Sequence, residues 1–80
     1  MTEEAFRESI RVYLVDRVMP GRFIGAVLAN DLQMAALHAD PESGALLREF
    51  ALIVYRDVPA GACGSWEALH KWCSSRSVAA

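Results

Sequence analysis

The stretch GAVLANDLQMAALHA, residues 25–39, decides how this chain is read. Ile24 just before it, then Val27, Leu28, Leu32 and Ala35, recur at intervals of three and four. That is the period of a helix with one buried face. Gly25, Ala26, Ala29, Ala35, Ala36 and Ala39 keep the helix slim, so neighbouring helices can approach closely. The spacing predicts one helix over 22–39.

Asp31 conflicts with that face. At about 100° per residue it lies between Val27 and Ala35, in the middle of the apolar stripe. His38 falls on nearly the same side, and Asn30 nearer the edge marked by Phe23, Met34 and Leu37. A buried carboxylate must be paired or hydrogen-bonded, or it neutralises. One reading makes Asp31, with Asn30 and His38, a structural polar centre. Asp31 then accepts bonds from amides of the 59–65 loop, from the Trp66 indole or from Arg17, and pins the loop to the bundle. A second reading makes the three residues line a partner surface or a small pocket. A third is a catalytic Asp31–His38 pair, which needs a nucleophile and an orienting group that no motif supplies. No residue is assigned a catalytic role.

Working outward, "ADPES" places Asp40 at an N-cap, Pro41 at the first helical position and Glu42 in the first turn. Leu46, Leu47, Phe50, Ile53 and Val54 continue the helical period over 41–57, with Gly44 costing about 1 kcal/mol relative to alanine. On the other side, Thr2 caps a helix over 3–19 that opens with Glu3 and Glu4, where the helix dipole favours acids. Its stripe is Phe6, Ile10, Tyr13, Leu14 and Val18, and Pro20-Gly21 ends it. After the loop DVPAGACG, Ser65 caps a last helix over 66–74. The expected fold is all-α, a compact bundle of four helices, with residues 1–75 as one domain and 76–80 as a frayed tail.

Eighty residues make one domain at most. A chain this short buries only about 60% of its unfolded surface, so it leans on oligomerisation, disulfides or metal. Hydrophobic residues make up 54%, above the ordinary ~45–50%, which points to self-association or a partner surface. The net charge of −2 lacks the basic excess of a nucleic-acid binder. No run of about 18 apolar residues is present to span a membrane. The opening MTEEAFRE has neither the basic nor the apolar region of a signal peptide, so a cytoplasmic location and reduced thiols are expected.

Cys63, His70 and Cys73 give C-x6-H-x2-C, but the spacing matches no standard zinc site, and a small zinc-dependent protein is the minor alternative. No metal or cofactor is assigned. Either thiol, Cys63 or Cys73, is a candidate for an intermolecular disulfide. Trp66 and Trp72 project about 120° apart, so one is expected in the core and the other partly exposed. The first helix carries a second apolar stripe, Val12, Val15 and Met19, flanked by Glu4, Glu8 and Asp16. The third helix likewise has Leu52 and Tyr55 away from its main stripe. Two-sided apolar helices lie at the centre of a bundle or at an interface. Glu4, Glu8, Val12, Val15 and Met19 are therefore the candidate partner or homodimer face, its acids suited to a basic partner.

The ordered residues Gly21, Phe23, Ala26, Val27, Leu28, Asn30, Asp31 and Leu32, then Ala39, Asp40, Val54, Tyr55 and Pro59, then Cys63, Gly64, Ser65, Glu67 and Trp72, form a recognisable set. It resembles a group of small proteins encoded by phages and prophages, over about residues 20–73. That group carries Trp-Gly between the cysteine and the serine; here Gly64 stands alone, so the loop is one residue shorter. The resemblance implies an accessory gene of a mobile element. By analogy of size and charge with anti-CRISPR proteins, it implies a stoichiometric inhibitor of a bacterial immune complex, such as a type I surveillance complex. The alternative is a structural or regulatory phage module that binds a phage replication or DNA-handling protein.

Overall fold

The computed structural model describes residues 1–74, and the expectation of a frayed 76–80 lies outside them. The elements are α1 (Glu3–Asp16), α2 (Arg22–Leu28), α3 (Leu32–His38), α4 (Pro41–Ala45), α5 (Leu47–Asp57), a 3-10 turn (Ala60–Ala62) and α6 (Trp66–Ser74). Among the described residues there is no strand. The described residues are all-helical, with six α-helices where the period predicts four.

Two breaks and one early end make the difference, and each has a cause. The helix expected over 3–19 ends at Asp16 because Arg17 turns left-handed (φ 58°). That conformation is uncommon for a residue with a side chain. Arg17 is held there from both ends. Its amide donates to the Tyr13 carbonyl at 3.1 Å, and its guanidinium donates to the Trp72 carbonyl at 3.1 Å while lying 3.7 Å over the Trp72 ring. The helix expected over 22–39 stops after Leu28 and restarts at Leu32. Asn30 is left-handed (φ 59°). The amide of Asp31 donates to the Ala26 carbonyl at 2.8 Å and that of Asn30 to Val27 at 3.3 Å. This is the Schellman pattern of a helix end, with asparagine where glycine is usual. The helix expected over 41–57 is interrupted only at Leu46 (φ −101°, ψ 9°).

Local signals account for the starts. Thr2 Oγ1 accepts from the Ala5 amide at 3.1 Å, and Asp40 Oδ1 from the Ser43 amide at 2.7 Å. These side chains satisfy donors that a helix N-terminus otherwise leaves orphaned.

The core gathers Phe6, Ile10 and Tyr13 of α1, Ile24 and Leu28 of α2, Phe50, Ile53 and Val54 of α5, Val58, Ala62 and Leu69. Phe6 stacks on Phe50 with centroids 4.2 Å apart and planes 5° from parallel, and Phe23 meets Phe50 edge-on at 5.9 Å. At the other end, Tyr13 is 1% exposed. Its hydroxyl donates to the Ala62 carbonyl at 2.8 Å, and its own carbonyl accepts from the Trp72 indole at 3.1 Å. Tyr13 thus ties α1 to both the 3-10 turn and α6.

Burial, with smaller contributions from Cys73 and Cys63, pushes the Tyr13 phenol from 10.0 up to about 12. The folded chain therefore holds the phenol neutral after the unfolded chain has ionised. Stability is full below about pH 10 and falls as the pH rises from 10 towards 12, by on the order of 2 kcal/mol. Thermal melts between pH 9 and pH 11.5 should show this decline. In Tyr13→Phe it should be shallower, the remainder coming in part from the Cys63 thiol, which burial also pushes up.

Candidate functional site

The polar centre is built at the end of α2. Asp31 is no longer inside a helix; it is the N-cap of α3, its Oδ1 accepting from the Met34 amide at 3.2 Å. Its Oδ2 accepts from the Trp66 indole Nε1 at 2.9 Å. Trp66 can reach it because Gly25 has no side chain. A Cβ at position 25 would stand 2.9 Å from two atoms of the Trp66 ring, closer than packed atoms tolerate. The loop is tied in beside this bond, where the Gly64 amide donates to the Leu28 carbonyl at 2.7 Å. Gly64 itself is left-handed (φ 104°), a conformation glycine adopts without strain.

Of the partners proposed for Asp31, the structure gives it the indole of Trp66; the loop amide goes to Leu28, and Arg17 goes to Trp72. Asn30 lies beside Asp31, exposed, in its left-handed turn. His38 closes α3 and is half-buried. The whole of α3 separates it from Asp31, about 10 Å along the axis, so the two do not form a pair. Both tryptophans are half-buried and both indoles are hydrogen-bonded, which replaces the expected division into one core and one surface ring.

The five residues of the candidate α1 face separate. Glu4, Glu8 and Val15 are exposed and Val12 is half-buried. Met19 lies beyond the end of α1, in the connection to α2. One acid of that flank, Glu8, is paired within the chain. Glu8 holds Arg11 at 2.8 Å, Glu3 holds Arg7 at 3.2 Å, and Arg7 also reaches Asp57 at 3.1 Å. The Arg11 guanidinium holds the Glu8 carboxyl below its usual range.

Cys63 and Cys73 are half-buried thiols packed against the core. Cys63 donates to the Pro59 carbonyl at 3.6 Å, and burial pushes its thiol up, which lowers its thiolate fraction. Among the described residues no three His, Cys, Asp or Glu side chains converge as a metal site would require. Among them, too, no helix is long and apolar enough to cross a membrane.

A second surface was not singled out from the sequence. A shallow groove of about 250 Å³ runs between α2, α5 and the loop, lined by Val27, Leu28, Asn30, Ala51, Tyr55 and Gly64 among others. It adjoins a smaller hollow that shares Val27, Asn30 and Ala51 and adds Leu32 and Leu47. Leu47, Ala51 and Tyr55 fall four apart on α5, a spacing legible in the sequence. The exposure of Leu32 depends on the break at Asn30 and was not. No protein-family model, curated protein sequence or solved structure matches this chain.

Three substitutions at two positions test the polar centre. Asp31→Leu leaves the Trp66 and Met34 N–H groups without their acceptor and should cost about 1–3 kcal/mol, whereas Asp31→Asn keeps one acceptor oxygen and so one of the two bonds, and should cost less. Gly25→Ala gains about 1 kcal/mol of helix propensity but displaces the Trp66 ring, for a net loss of about 1–2 kcal/mol. Urea titrations followed by circular dichroism measure both. A Gly25→Ala variant as stable as the parent would show that the ring is not held against α2.

Proposed function

We propose that this protein is a small accessory protein of phage or prophage origin that acts by binding another protein. In this reading it is a stoichiometric inhibitor of a bacterial immune complex of the anti-CRISPR kind, a type I surveillance complex. The resemblance over residues 20–73 supports the origin. One structural observation supports the mode of action. Val15, Leu32, Leu37 and Tyr55 stand 64%, 70%, 73% and 85% exposed, although the chain has a core available to bury them. Of these, Leu32 and Tyr55 border adjoining hollows that share Val27, Asn30 and Ala51, and a contiguous apolar patch is a surface by which small proteins seat on partners. The ion pairs along α1 cancel only part of its four acids against two arginines, and in this reading binding rests chiefly on apolar contact.

The first test is plaque formation by a CRISPR-targeted phage on a host that expresses the protein, against a matched host without CRISPR. Restoration of plaques in the immune host alone is the expected outcome. Failure across several CRISPR types overturns the inhibitor reading and favours a phage replication or DNA-handling partner. Within a positive result, Tyr55→Ala with Leu32→Ala should leave melting unchanged and weaken affinity about tenfold or more. Glu4→Lys with Glu8→Lys should change affinity little. The reverse pattern would move the binding face to α1.

A further inference from the structure

We propose that a second copy of this chain is a partner, and that the two copies exchange residues 32–74 by straightening at Asn30. The proposal is independent of the inhibitor reading. It starts from a conflict between local and tertiary structure. The apolar row Ile24, Val27, Leu28, Leu32 and Ala35 has the period of one unbroken helix. The observed bend is produced by a single left-handed residue, Asn30 at φ 59°, a conformation that asparagine tolerates better than most side chains but that still disfavours it.

The bend is held by contacts between the two sides of the hinge. Trp66 and Gly64 lie after it, and their partners Gly25 and Leu28 lie before it. The same division runs through the rest of the core. Phe6 stacks on Phe50, Tyr13 bonds to Ala62 and Trp72, and Arg7 reaches Asp57. The fold is thus an interface between residues 1–29 and residues 32–74, joined by Asn30 and Asp31. A second copy offers the same interface with the same geometry, so exchange preserves the core and changes the hinge, where the Met34 amide trades its Asp31 cap for the Asn30 carbonyl of a continuous helix. There the Leu28 carbonyl trades the Gly64 amide for the Leu32 amide, its natural partner in a continuous helix. Leu32, mostly exposed in the bent form, rejoins the Leu28 row and faces the second copy at the two-fold axis.

The test compares Asn30→Ala, which favours the straight helix, with Asn30→Gly, which accepts the bend without strain. Light scattering over a concentration series reads the dimer. Each dimer contains two hinges, so the dimerisation constant of Asn30→Ala should exceed that of Asn30→Gly by at least about tenfold. A cross-link then identifies the dimer. With Cys63→Ser and Cys73→Ser as background, Arg7→Cys and Asp57→Cys are joined by a short bis-maleimide. Exchange places the two thiols on different chains, so the denatured product runs as a covalent dimer. A dimeric sample that runs as monomer, as a dimer through the α1 face would, overturns the proposal. If Asn30→Ala does not fold, the parent chain refolded at millimolar concentration takes its place. A covalent dimer there supports exchange, and monomer alone overturns it.

Discussion

One carboxylate carries the geometry of this fold. Asp31 uses one oxygen to close the start of α3 and the other to receive the indole of Trp66. The first bond lets a helix of seven residues begin where the chain has just ended another. A helix that short does not sustain itself in water, and α3 buries only Ala35. The second bond sets where α6 lies. With the Trp66 ring seated on Gly25, the preceding loop reaches the Leu28 carbonyl, and the 3-10 turn comes under the Tyr13 hydroxyl. Remove the acceptor, and the donors at Met34 and Trp66 lose their partner together.

Much of this was legible beforehand. The period gave the core of α1 and α5, from Phe6 and Ile10 to Ile53 and Val54, and the caps at Thr2 and Asp40 marked true starts. The breaks were harder. Periodicity records which face is apolar, not whether the backbone is continuous. The turns at Arg17 and Asn30 are secured by residues 55 and 35 positions away. Asp31 looked like a charge on a buried stripe because the wheel assumed an unbroken helix. Read instead as a helix end, asparagine in the left-handed position followed by an aspartate cap, the pair Asn30-Asp31 also carries a local signal for the turn. Trp66 was among the partners foreseen for Asp31. Arg17 was as well, but its charge lies over a second indole.

The surface divides by how its charges are used. Along α1 the acids and arginines satisfy one another at the exposed level where each pair contributes little to stability. What they accomplish is partial cancellation, leaving a mildly acidic helix beside exposed Val15. Around α2 and α5 the exposed surface mixes charged side chains, Arg22, Arg48 and Arg56, with the apolar Leu32 and Tyr55.

The bare Cα of Gly25 has a consequence for how such a sequence can change over time. Position 25 and position 66 fill one space between them, so neither can drift alone. A methyl at 25 requires a smaller ring at 66, and a smaller ring without an indole N–H abandons Asp31, which is then free to vary in turn. The three sites form a single heritable unit spread across 42 residues of chain. In any lineage of this fold, the loss of the glycine, the tryptophan or the aspartate should be followed by loss of the other two.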